Sequence, residues 1–140
     1  MRRIALASTM VLITASGITG VTLAAATPAS AQPSCTNSTS FLVNPAPKTT
    51  VNIPTVGAQT GQDNCLLGVG NDNPGVGVLQ RNLNSCHGAH LTVDDDFGPA
   101  TKAAVQAAQR AAHITADGVY GPQTRDHISW IDSAGHCISF

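Results

Sequence analysis

The feature that most constrains the fold is a phrase that occurs twice. Leu91-Thr92-Val93-Asp94-Asp95-Asp96-Phe97-Gly98-Pro99-Ala100-Thr101 is answered 23 residues later by Ile114-Thr115-Ala116-Asp117-Gly118-Val119-Tyr120-Gly121-Pro122-Gln123-Thr124. Aligned on Gly-Pro, the Thr, Asp, Gly, Pro and Thr positions are identical, and Leu91 with Ile114 and Phe97 with Tyr120 are conservative. Self-similarity at a spacing in the twenties marks a supersecondary unit used twice, each copy needing the other to cover its apolar face. The phrase reads as a turn that launches a helix. Gly98 and Gly121 fall at cap positions with Pro99 and Pro122 at N1, and the aspartates upstream suit the positive end of the coming helix. Asp117-Gly118 is a turn dipeptide, and the aromatic before Gly-Pro is placed to fold under the turn. A calcium loop would need a bidentate acid at its twelfth position. Counting from Asp94 and Asp117, that position holds Val105 and Ile128, both core residues on this reading.

Around the phrases the period is helical. Val76, Leu79 and Leu83 form the apolar stripe of a first helix, with Gln80, Arg81, Asn82 and Asn84 on its wet side, Pro74 near its first turn and Gly88 at its end. A second helix runs from Pro99 to about Ala112, rich in alanine and with Val105 its one large aliphatic. A third runs from Pro122 to about Asp132, with Ile128 and Ile131 as core candidates and Trp130 beside them.

Residues 1–31 read as a leader: a basic Met1-Arg2-Arg3, an apolar run, and Ala29-Ser30-Ala31 as the cleavage signal. Cleavage there takes 31 of 140 residues and leaves 109, with five Lys/Arg against eight Asp, a net charge of −3 with His neutral. That balance disfavours nucleic acid as a partner, and no later stretch is apolar enough for a membrane span. Residues 32–64 are rich in Thr, Ser, Asn, Gln and Pro and read either as a flexible linker or as a hairpin. In the hairpin, Phe41-Leu42-Val43 would pair with Val51-Asn52-Ile53. Four cysteines in a small exported chain imply two disulfides. Cys35 with Cys65 would close the N-terminal segment, and Cys86 with Cys137 would tie the first helix to the C-terminus.

Leu79-Gln80-x-x-Leu83-Asn84, the doubled Asp-x-x-aromatic-Gly-Pro-x-Thr phrase, Ala104-Val105 and Gln109-Arg110-Ala111 resemble the peptidoglycan-binding domain family, over about residues 65–140. The exported, disulfide-bearing form resembles small secreted proteins of actinobacteria. The resemblance implies a mainly α fold: a small three-helix bundle with a repeated turn-helix unit, preceded by an irregular or β-hairpin segment. It implies a secreted, wall-associated monomer that binds peptidoglycan, by stem peptide or glycan, without chemistry or cofactor. The candidate surface is Asp94, Asp95, Asp96, Phe97, Asp117 and Tyr120, with Arg81, Arg110 and Arg125 for stem-peptide carboxylates. Three positions depart from the family pattern: Ala108 replaces an aromatic, Asp95 replaces a glycine, and His113 stands where a glycine often ends the second helix.

Enzyme readings find little to stand on. The chain has no glutamate, so a lysozyme-like pair would need one aspartate held protonated in an exposed turn. Cys86, His87, His136 and Cys137 would form a zinc set if the chain ends met, but export favours a disulfide flanked by ordinary histidines. The alternative from another class is a secreted interaction protein, an inhibitor or partner of a wall hydrolase, reusing the same domain.

Overall fold

The computed structural model describes residues 31–45, 48–59 and 61–139; the expected leader, Ala31 apart, lies outside them. Strands β1 (Asn37–Pro45) and β2 (Lys48–Thr55) come first, then helices α1 (Pro74–Cys86), α2 (Pro99–Ala111) and α3 (Pro122–His127), then strands β3 (Trp130–Ile131) and β4 (Cys137–Ile138). Both sheets are two-stranded and antiparallel.

Residues 32–64 therefore contain a hairpin rather than a linker. Phe41 pairs with Val51 and Thr39 with Ile53, and the register slips between Leu42 and Asn44. Period-2 alternation in β2 turns Val51 and Ile53 inward, where they share one core with the helices' Val76, Leu79, Leu83, Phe97, Val105, Tyr120, Ile128 and Trp130. The helices are 13, 13 and 6 residues long against strands of 9 and 8. Three helices, a hairpin and two disulfides are thus present, but strand shares the fold with helix, and "mainly α" overstates the helical part.

The helix boundaries follow local chemistry. Asn73 caps α1: its side chain accepts the Gly75 N–H at 3.0 Å, and Pro74 follows at N1. At the end of α2, His113 N–H donates to Arg110 O and Ile114 N–H to Gln109 O, both at 3.1 Å. This is a Schellman closure with His113 in the left-handed region at φ 57°. A histidine thus holds the left-handed position that glycine takes most easily.

Two expectations fail. The third helix ends at His127, not near Asp132, because Ile128 turns extended (φ −93°, ψ 157°). The indole of Trp130 then donates to Arg125 O at 2.9 Å, capping one of the helix's orphan carbonyls, while Asn82 holds Ser129 O and the Ile131 N–H. The wet face assigned to α1 is also wrong in part: Gln80 and Asn82 are each 1% exposed. Each is buried because its amide makes backbone bonds that a solvated side chain would leave to water.

Cys35 joins Cys65 and Cys86 joins Cys137, with Cα separations of 5.0 and 5.6 Å. The first pair is fully buried, whereas Cys137 is exposed. Both thiols of the zinc reading are thus consumed, and among the described residues no group of three or more metal-binding side chains converges.

Candidate functional site

Each phrase folds around one buried glutamine. In the first turn, Gln80 Nε2 lies 2.7 Å from Asp94 Oδ1, 2.9 Å from Asp96 O and 3.2 Å from Thr101 Oγ1. Its Oε1 accepts the N–H groups of Asp94 and Asp95 at 3.1 and 3.2 Å. In the second, Gln109 Nε2 lies 2.8 Å from Asp117 Oδ1 and 2.9 Å from both Val119 O and Thr124 Oγ1, and its Oε1 accepts the Gly118 N–H at 2.9 Å. With two protons for three oxygens, each amide shares one of them. The aspartate closes each turn by accepting the N–H two residues on, Asp96 at 3.1 Å and Val119 at 2.9 Å. The same parts, Gln, Asp and the N3 Thr, build both turns.

A third strand of backbone joins the two turns. Leu67 and Tyr120 exchange N–H···O bonds of 2.9 Å, Phe97 N–H donates to Asn71 O at 2.8 Å, and Asn73 N–H donates to Asp95 O at 3.0 Å. Residues 67–73 thus run along both turns and hold them on one side of the core.

The candidate residues divide accordingly. Phe97 and Tyr120 have no exposed surface and are removed from the candidate surface. They plug the core beneath their turns, and the Tyr120 ring meets Trp130 edge-on with centroids 6.0 Å apart. Burial pushes the Tyr120 phenol far up, so it stays neutral. Arg125 is largely committed: Nη1 donates to Asp63 O at 3.1 Å and also pairs with the Asp63 carboxylate, and Nε pairs with Asp126 Oδ1 at 2.6 Å. It fastens the segment before Cys65 onto α3. Asp94, Asp96 and Asp117 reach solvent, although Asp94 and Asp117 each use one oxygen inside the turn. The Gln80 amide, with the Asp96 N–H second, holds the Asp94 carboxyl below the ordinary carboxylate range. Asp95 is half-buried at φ 65°, the left-handed conformation that Gly118 takes at φ 76° in the second turn. Arg110 is exposed on α2, and Arg81 is exposed on α1 facing the hairpin side.

Two equivalent clefts flank the turns. One is lined by Gln80, Asp94, Asp96, Gly98, Pro99 and Thr101. The other is lined by Gln109, Asp117, Val119, Gly121, Pro122 and Thr124. Both are shallow, with carbonyl, carboxylate and hydroxyl edges at the foot of a helix. Such a surface suits amides and sugar hydroxyls and holds no nucleophile–base pair.

Residues 72–128 match the family described as putative peptidoglycan binding domain. The match starts at the end of the bracing segment, spans both glutamines and both turns, and stops at Ile128. The hairpin and the β3–β4 pair lie outside the matched residues. A crystal structure of a peptidoglycan-binding protein from Clostridioides difficile, in complex with glutamine hydroxamate, is similar at 28% identity and a TM-score of 0.46. The alignment covers 62% of this chain and 53% of that one, so the chain spans about half the length of that relative. A comparison with curated proteins gives no match.

The roles of Gln80 and Gln109 were not legible from apolar periodicity. The available signal was the glutamine upstream of each Asp-x-x-aromatic-Gly-Pro-x-Thr phrase, a residue type able to satisfy donors and acceptors of one turn at once.

Proposed function

We propose that the chain is an exported, non-catalytic protein that binds cell-wall peptidoglycan through the shallow polar surface of its two helix-leading turns. The observation that supports this reading is the family match over residues 72–128, which takes in both turns complete with their glutamine clamps. The contact residues in this reading are Asp94, Asp95, Asp96 and Asp117 with Arg110. Phe97, Tyr120 and Arg125 act from behind, fixing where the turns sit. The paired clefts offer two copies of one recognition geometry to a ligand that is itself a repeating polymer, so binding to the wall gains from avidity over binding to a single fragment. The leader, a mature start at Gln32 and residence at the wall belong to the same proposal. Among the described residues no helix is long and apolar enough to cross a membrane.

Co-sedimentation with purified wall sacculi tests it. The protein is expected in the pellet, and the double variant Asp96→Ala, Arg110→Ala is expected to pellet several-fold less at limiting sacculi. Recovery of the wild-type protein in the supernatant would overturn wall binding and favour a soluble partner. Unchanged pelleting of the variant would move the contact away from the turns.

A further inference from the structure

A groove of about 220 Å³ lies where β2, α1 and β3 meet, lined by Thr50, Asn52, Val78, Arg81, Ile131, Asp132 and Ser133. Only Val78 and Arg81 of that set fall inside the family match, so the groove is built chiefly from what this chain adds to the domain. Its walls are tied together. Val51 bridges Asp132, Ser133 N–H donates to Thr50 O at 2.8 Å, and Thr50 N–H donates to Ser133 Oγ at 3.2 Å.

The groove is rich in donors. Arg81 forms no ion pair with another described residue, in contrast to Arg125, which holds two carboxylates. The Asp95 carboxylate lies over Gly77 on the same side as the guanidinium, but outside ion-pair distance. Ser133 Oγ accepts from Thr50 and keeps its own proton to give. Asn52 takes the Ser40 hydroxyl on its Oδ1, which leaves its amide protons available to donate. The one acid in the lining, Asp132, is engaged by the turn that follows it: Oδ1 accepts the N–H groups of Ala134 and His136, both at 2.9 Å. Val78 and Ile131 supply an apolar floor. One unpaired guanidinium, hydroxyl and amide donors around it and a small hydrophobic base form a site for an anionic planar group carrying a short alkyl branch.

We propose that this groove binds the free α-carboxylate end of a short peptide, with Arg81 on the carboxylate and Val78 and Ile131 under the last side chain. It rests on the wall-binding reading for the source of the peptide and gives the stem peptide a place apart from the turns. The hairpin then has a function beyond covering the core: it completes a second, peptide-directed subsite.

The test is an amide-resonance NMR titration of the full chain with diacetyl-Lys-D-Ala-D-Ala as the probe, against the same peptide with its C-terminus amidated. The free acid is expected to shift the resonances of Thr50, Asn52, Arg81 and Ser133. The amidated form, or the free acid added to Arg81→Gln, is expected to bind about tenfold more weakly. Lys102→Gln, which removes a cation outside the groove, is expected to bind as wild type, and an unaltered spectrum confirms that Arg81→Gln is folded. Shifts mapping elsewhere, equal binding of acid and amide, or full binding by Arg81→Gln would each overturn the proposal. Sacculi co-sedimentation separates the two readings. A chain that pellets but shows none of these shifts loses the groove and keeps wall binding. A chain that stays in the supernatant loses wall binding, and the titration still judges the groove.

Discussion

The first turn, Asp94 to Gly98, and the second, Asp117 to Gly121, use the same clamp to different degrees of enclosure. Gln80 serves backbone N–H groups of Asp94 and Asp95, at the edge of the protein, while Gln109 serves that of Gly118, which is buried. The first turn carries an aspartate in the left-handed position, the second a glycine under α2 side chains. The first plug is a phenylalanine; the second is a tyrosine whose hydroxyl finds no partner among the described residues. One geometry thus tolerates a charged, wet version and an enclosed one. The enclosed copy is the better placed to hold the fold.

The largest expected effect comes from removing the clamps. Gln109→Ala strands buried groups that water cannot reach and is expected to cost about 3 kcal/mol in urea unfolding. Gln80→Ala is expected to cost clearly less, because water can replace it at Asp94 and Asp95. Equal losses would erase the distinction between a wet and an enclosed turn. Exchanging the left-handed residues comes next. Gly118→Asp places a Cβ 2.6 Å from Lys102 Cγ at φ 76° and is expected to cost about 2 kcal/mol. The reverse change, Asp95→Gly, is expected to stay within about 1 kcal/mol of wild type, since relief of the left-handed strain is offset by added chain entropy when unfolded. A smaller effect still is expected of Tyr120→Phe. It removes an unpartnered buried hydroxyl and makes the second plug like the first, so the melting temperature should hold or rise, by up to about 1 kcal/mol in stability.

The smallest effect is a titration. The Asp94 carboxyl is depressed by the Gln80 amide first and by backbone N–H groups after it. Its contribution is therefore present above the ordinary carboxylate range and is lost as pH falls through the depressed folded value. Carbon-13 NMR should show Asp94 titrating below an ordinary aspartate in the wild type and moving up toward that value in Gln80→Ala. An unmoved titration would mean that the clamp does not set the charge of this turn.

These contrasts also mark what was legible in the sequence. The Val76, Leu79, Leu83 stripe, the Gly-Pro helix starts and the alternation around Val51 and Ile53 all report burial of apolar groups, which periodicity detects directly. Gln80 and Asn82 were misplaced on the wet face because periodicity scores an amide as polar without asking whether a turn will satisfy it. The early end of α3 was hidden for a related reason. Ile128 and Ile131 carry a helical spacing of apolar groups, but the Trp130 indole, Asn82 and the β4 partner offer better bonds in an extended chain. Within the candidate surface, the aspartates were legible as turn-formers. The burial of Phe97 and Tyr120 was legible as a plug, and it is the plug that removes them from contact with a ligand.

The segment that braces the turns also bears on how the chain reaches this state. Pro33 to Thr36 is bonded to Leu66 and Thr55, Leu67 to Tyr120, and Thr50 to Ser133. Neither the hairpin nor the helices can be finished alone, because each waits for partners far along the chain. Such wiring, rich in contacts between residues far apart in the chain, slows the search for the native state. For a chain exported as the proposed function has it, slow closure keeps it a pliable string until its whole length has passed through.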